Sequence, residues 1–280
     1  MMKTDNLSGL KAKASMFQEM HRRNGMFLLP NAWDAASARI FERAGFPAVA
    51  TTSAGIAYSL GLPDGEHVPF DDLLFLVKRI SGRISAPLSV DFERGYSEDP
   101  EQVGKNALRL LEAGAVGFNL EDGQADGRLS PVSLQLEKIH ALKELKREAG
   151  VDFVINARTC AYWLNVAGET EKRDIAIARG NAFAEAGADC VFVPGTIGRE
   201  AVDELVKGIR APLNIILNGA FHDLAELEAM GVRRLSVGSG PIRHILEQTI
   251  RMADKLHAGD VSPILGCSFN SAMANKYFGD

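Results

Sequence analysis

The stretch "DPEQVGKNALRLLEAGAVGFNLED", residues 99–122, holds one complete structural cycle. Asp99 suits a helix N-cap, and Pro100 suits the first helical position, where a missing N–H costs nothing. Apolar residues then recur at helical spacing as far as Gly114, a natural C-cap. Directly after it, "VGFNLED" (116–122) is a short apolar run of strand length.

The same cycle runs through the chain. Strand-like runs are "MFLLPNA" (26–32), "AVATTSA" (48–54), "PLSVDFE" (87–93), "VGFNLED" (116–122), "DFVINAR" (152–158), "CVFVPG" (190–195), "PLNIILN" (212–218) and "RRLSVGS" (233–239). They are nearly continuous rather than alternating, which suggests strands covered on both faces, as in a parallel sheet. The helical stretches between them close on glycine in "ERAGF", "LEAGA", "AEAGAD" and "EAMGVRR". Eight strand–helix cycles predict an α/β fold of the (β/α)8 TIM-barrel type. A doubly wound open sheet is the alternative, but no G-x-G-x-x-G follows the first run. Residues 1–258 form the expected barrel domain with an N-terminal helix. Residues 259–280 form a helical tail, with apolar side chains and no strand to cover, expected to pack on a neighbouring subunit.

Bulk properties narrow the class. The chain has 280 residues, 46% hydrophobic and 24% charged, with a net charge of −5 and no long basic run. Nucleic acid and anionic membranes are not expected partners. No window approaches about 18 continuous apolar residues, and the N-terminal stretch lacks an apolar signal core. Cys160, Cys190 and Cys267 match no zinc or C-x-x-C spacing. A cytoplasmic location is expected.

In such a barrel, chemistry gathers where strands end. Those ends carry Thr51, Thr52 and Ser53; Asp91 and Glu93; Asn119, Glu121 and Asp122; Asn156 and Arg158; Asn214 and Asn218; and lastly "VGSGP". Asp91 and Glu93, two apart, are expected on one side of their strand. Acids meeting at one mouth repel unless a cation lies among them. Hard oxygen donors without histidine or thiolate point to Mg2+, with Mn2+ as the alternative ion. Asp91 is the expected direct ligand, Glu93 and Glu121 acting partly through water. Arg158 is expected to meet a substrate carboxylate or a developing oxyanion; an ion pair with Glu121 is its plainer role. Cys160 reads as a small buried residue, Tyr58 and Trp33 as pocket wall or core, and "SVGSGPIR" (236–243) as a phosphate loop or a simple turn.

Four segments, "TTSAGIAYSLGLPDG" (51–65), "VDFERGY" (90–96), "NLEDG" (119–123) and "INART" (155–159), make an ordered set. With them the chain resembles the isocitrate lyase / phosphoenolpyruvate mutase superfamily from about Leu28 to Leu256. The resemblance implies a Mg2+-dependent barrel, tetrameric or dimeric, with C-terminal helices swapped between subunits. It implies a small 2-oxo acid or phosphonate substrate, reacting by lyase or mutase chemistry through a metal-stabilised enolate. It places metal roles on Asp91, Glu93 and Glu121, substrate binding on Thr52, Ser53 and Ala54, and reacting-group roles on Asp64, Glu121 and Arg158. Asn214 is a further substrate-binding candidate at its strand end. Departures are equally specific. Glu93 stands where the family has Asp, Pro194 where an acid is usual, and "EDGQADGRLSPV" (121–132) lacks the K-[KR]-C-G-H acid loop, though Gly123 and Gly127 would allow a mobile lid. Cysteine-assisted isocitrate cleavage is therefore not expected. Oxaloacetate decarboxylase- or hydrolase-type chemistry is the enzymatic alternative, and a non-catalytic 2-oxo-acid binder is the alternative of another class.

Overall fold

The computed structural model describes residues 4–279; residues 1–3, where the expected N-terminal helix would begin, and residue 280, the end of the tail, lie outside the described residues. The strands are β1 (Phe27–Leu29), β2 (Asn31–Ala32), β3 (Val49–Thr51), β4 (Leu88–Asp91), β5 (Gly117–Glu121), β6 (Val154–Arg158), β7 (Cys190–Val193), β8 (Leu213–Ile216) and β9 (Arg234–Ser236). The helices are α1 (Thr4–Arg22), α2 (Ala35–Arg43), α3 (Ser53–Ser59), α4 (Phe70–Ser81), α5 (Pro100–Glu112) and α6 (Val132–Ala149), followed by α7 (Glu169–Ala186), α8 (Arg199–Gly208), α9 (Leu224–Met230), α10 (Gly240–His257), α11 (Ser262–Leu265) and α12 (Ser271–Phe278).

All the strand pairs are parallel, and the ring closes: β1 pairs with β9 and β2 with β3. The first barrel strand is therefore two pieces. Pro30 divides it, because proline offers no N–H to the ladder, although its carbonyl still accepts from Ala50 N at 2.9 Å. The fold is a (β/α)8 TIM barrel whose eight strand positions are filled by nine segments.

The cycle at 99–122 shows how each unit is built. The Asp99 side chain accepts from Glu101 N at 3.1 Å, and Pro100 opens α5. Val103, Ala107, Leu110 and Leu111 then form one buried stripe. Each larger member contributes roughly 1.5–3 kcal/mol by leaving water. Gly114, at φ +109°, turns the chain into β5, a backbone state that L side chains rarely adopt.

One end of the barrel is sealed by α1. Phe17 packs with Met20, Phe27, Leu29, Ala48, Ala50 and Val154 at the strands' N-terminal ends. Gly117 makes room for it, since a Cβ there would lie 2.7 Å from the Phe17 ring. Only the opposite end is left for chemistry. No helix among the described residues is long and apolar enough to cross a membrane.

Candidate active site

Asp91 ends β4 at the open end of the barrel. Its amide donates to Thr51 Oγ1 at 2.8 Å, and its Oδ2 accepts from Ser53 N at 3.2 Å. Its Oδ1 is buried and has no hydrogen-bond partner among the described residues. Ser53 and Ala54 were expected at a strand end; they form instead the first turn of α3, which Thr52 caps by accepting from Gly55 N at 3.3 Å. The cap explains the change: a Thr side chain that satisfies a free amide starts a helix directly after the strand. The amide of Ser53, a residue expected to bind substrate, is thus given to Asp91.

Glu93 does not continue the strand. β4 stops at Asp91, and Glu93 (φ +49°), Gly95 (φ +91°) and Tyr96 (φ +57°) make a turn rich in left-handed backbone. Each non-glycine residue so placed costs of order 1–3 kcal/mol. Glu66 offsets that strain. Its carboxylate accepts from Arg94 N, Nε and Nη2 and from Tyr96 N at 2.7–3.0 Å. The same clasp ties the loop carrying Asp64 to the acid-bearing turn. Tyr96 O–H donates to Glu93 Oε1 at 3.1 Å. Neither Glu66 nor Arg94 stood out in the sequence, because a tie between segments 28 residues apart leaves no local pattern.

The acids perturb one another. Burial, then Asp91, Glu121, Glu66 and Asp64, push Glu93 up to about 8. Burial raises Glu121 to about 7 even though the neighbouring Arg158 opposes it. Asp64 is raised by burial and by Asp91, with the Ser53 side chain, the Gly65 amide and Arg158 pulling the other way. Arg158 Nη1 meets Glu121 Oε2 at 2.7 Å, so the plainer ion pair does form. Its Nε stays buried without a hydrogen-bond partner among the described residues. Asp122 turns elsewhere: it accepts from Cys160 N at 2.7 Å and Arg179 Nη1 at 3.0 Å, beneath the site.

A cavity of about 800 Å3 opens over these groups. Thr52, Ser53, Ala54, Tyr58, Asp64, Asp91, Asn119 and Arg158 line one side, with Pro194 and Arg243 on its wall as well. A smaller cavity of about 220 Å3 is bounded by Glu93, Glu121, Asp64, His67 and Arg158. Trp33 lines neither and packs on the core. Asn214 is not in the cavity wall. It is fully buried inside the barrel, where its Oδ1 accepts from Ser236 Oγ at 3.2 Å, because the chain reaches the mouth only at Ile216, the end of β8, and at Leu217 and Asn218 beyond it. Across the interior, the fully buried Arg234 donates to Asn119 Oδ1 at 3.3 Å. Nothing in "RRLSVGS" marked this arginine as internal.

The loop at 236–243 is not an open anion cup. Val237 N and Gly238 N both donate to Asn31 Oδ1, at 3.0 and 2.9 Å. The short segment whose Gly123 and Gly127 would allow a lid is a tight turn: Gly123 bridges Leu129, and Ser130 is held by Asp122 and Arg179.

Asp91, Glu93 and Glu121 do not converge as a ligand cage. Among the described residues no group of three or more His, Cys, Asp or Glu side chains is placed to hold an ion together. Glu121 is engaged by Arg158, and Glu93 faces the smaller cavity. A hydrated divalent cation nonetheless fits the donors. Asp91 Oδ1 is a buried carboxylate oxygen lacking a partner, in a group of acids that outnumbers its cations, and Mg2+ needs only one or two direct carboxylates.

The family model described as phosphoenolpyruvate phosphomutase matches residues 17–257. An uncharacterised protein of Mycobacterium tuberculosis is 33% identical over 247 residues, spanning 88% of this chain and 91% of that one. The 2-methylisocitrate lyase of Escherichia coli is 34% identical over 181 residues, 61% of this chain and 56% of its own. A crystal structure from Burkholderia cenocepacia J2315, described as a lyase/mutase, superposes with a TM-score of 0.90 at 31% identity, covering 97% of this chain and 98% of that chain.

Proposed function

The chain belongs to the isocitrate lyase / phosphoenolpyruvate mutase superfamily, and from that membership we propose that it is a Mg2+-dependent enzyme acting on a small 2-oxo acid. The observation that carries the proposal is the buried Asp91 Oδ1, without a partner among the described residues, in a cavity that Arg158 also lines. When bound there, the cation would supply positive charge where an enolate oxygen develops.

The chain's own groups do the rest. Ser53 N and Thr51 Oγ1 fix the Asp91 carboxylate so that one oxygen stays presented. Arg158 keeps its charge throughout: burial works against it, but the carboxylates of Glu121 and Asp91 hold it above the usual guanidinium range. Its Nε is available to a carboxylate or a departing oxyanion. Glu121, near 7, can hold or release a proton at neutral pH.

Decarboxylase- or hydrolase-type chemistry is the second reading. It is favoured by the short turn at 123–130, which carries neither Cys nor His, and by burial that holds the Cys160 thiol well above its usual range. No proton donor like the lyase cysteine then stands over the substrate. A swapped oligomer also belongs to the proposal. It is supported by the apolar surface of the last helices, where Ile250, Ile264 and Leu265 are 62%, 52% and 79% exposed.

The test is turnover of oxaloacetate, methylisocitrate, dimethylmalate and phosphonopyruvate with Mg2+ and with EDTA. Activity lost in EDTA and in Arg158→Lys is the expected result. Oxalate that raises the melting temperature with Mg2+, while no substrate turns over, would favour the non-catalytic binder. No Mg2+ response of any kind would reject the proposal.

A further inference from the structure

Trp163 took no part in the sequence reading, yet its placement is unusual. It stands in the loop between β6 and α7, five residues after Arg158, and 53% of its surface is exposed. Trp163 lines both the large and the small cavity, a position shared by Ser53, Asp64 and Arg158. The Arg158 guanidinium carbon lies over the Trp163 ring, 5.5 Å from its centroid, and over the buried Phe192 ring at 5.7 Å. Two aromatic rings, one rooted in β7 and one borne on a loop, are therefore within cation–π reach of the one guanidinium.

Glu121 pairs with Nη1 and Cys160 lies against the same side chain, but point contacts of this kind do not fix the tilt of the guanidinium plane. A flat cation stacked against rings loses that freedom, and the contact strengthens as water is excluded. Phe192 is only 4% exposed and supplies a fixed backing, whereas the half-exposed Trp163 is the solvent side of the clamp.

We propose that Trp163 is the positioning residue of this site: with Phe192 it clamps the Arg158 guanidinium so that the edge not held by Glu121 meets the substrate's anionic group. The indole also covers that edge from solvent where the two cavities join. The proposal rests on the role given above to Arg158. It assigns Trp163 an action through the arginine, not a chemical step.

Two measurements test it. The first is oxalate binding in the presence of Mg2+ by calorimetry, for wild type, Trp163→Phe, Trp163→Ala, Arg158→Lys and the double variant Trp163→Ala/Arg158→Lys. Removing the indole is expected to weaken oxalate roughly tenfold, while phenylalanine restores binding to within about threefold. In the Arg158→Lys background, Trp163→Ala is expected to cost little more, because no guanidinium plane is left to hold. Additive losses would show that Trp163 is merely pocket wall and overturn the proposal.

The second measurement needs no ligand. The chain has two tryptophans, so Trp33→Phe leaves Trp163 as the sole indole, excited selectively beyond the tyrosine band. Arg158→Met in that background is expected to change the intensity and wavelength of its emission. An unchanged spectrum would overturn the clamp. Failure of wild type to bind oxalate with Mg2+ would sink the 2-oxo-acid reading instead, and the emission experiment alone would then decide the clamp.

Discussion

His21 seals the closed end of the barrel and makes stability depend on pH in a calculable way. It is 2% exposed, and its ring lies edge-on to Phe17 at 4.8 Å and Phe27 at 4.9 Å. Nδ1 is 2.8 Å from Phe17 O, which can only accept, so the proton sits on Nδ1, and Nε2 is buried without a partner. Burial, then the charge of Arg234, lowers its pKa from 6.5 to about 3. Between these values the unfolded chain binds a proton that the folded chain refuses, so stability falls as pH drops through 6.5 and this loss is complete near 3. From pH 7 to pH 5 the linkage amounts to about 2 kcal/mol. Glu93 and Glu121, with raised folded values, act in the opposite direction: their contribution is full at low pH and is lost as pH rises toward about 8 and 7. A single pH profile would mix these effects. Urea unfolding of wild type and His21→Gln at pH 7 and pH 5 separates them, because the acids are common to both proteins. The wild type should lose about 2 kcal/mol more than the variant over that interval. Parallel losses would refute the linkage and with it the description of a neutral, desolvated His21.

Glu66→Ala removes the acceptor of four hydrogen bonds and strands Arg94, so unfolding stability should fall by about 3 kcal/mol and the loop at 60–69 should become cleavable by protease; a wild-type urea midpoint would contradict the clasp. Mg2+ binding at pH 7 should release about one proton, because Glu93, held near 8, is mostly protonated until a cation arrives. Calorimetry in buffers of different ionisation enthalpy reads this directly, and enthalpies independent of buffer would exclude it. Ile250→Glu with Leu265→Glu should convert an oligomer to monomers in light scattering; a monomeric wild type would remove the swapped-helix proposal.

Much of the barrel was legible because each unit advertises itself locally. Asp99 and Pro100 start α5, Gly114 stops it, and Phe118 and Leu120 begin the next buried layer, all within one window. The break at Pro30 was harder to foresee, since it depends on which neighbours the two halves of that strand pair with. Strand ends and ordered motifs point to Asp91, Arg158, Ser53 and Asp64, and all four line one cavity. Asn214 was picked by the same logic but lies one layer too deep, because counting residues to a strand end does not reveal where the barrel mouth is. Glu93 was placed by strand alternation, yet its left-handed turn takes it to the second cavity.

The order of residues along the chain determined the alternation of strand and helix, and with it the barrel and the acids at its rim, because propensity, capping and apolar spacing act within a few residues. Only the folded chain decided that Glu66 holds two loops together, that Arg234 reaches Asn119 across the interior, and that Trp163 lies over Arg158. Glu66 and Arg234 meet partners tens of residues away, and the Trp163 stack depends on how one loop folds back. Such contacts, unlike a helix cap, follow from three-dimensional proximity that no local pattern encodes.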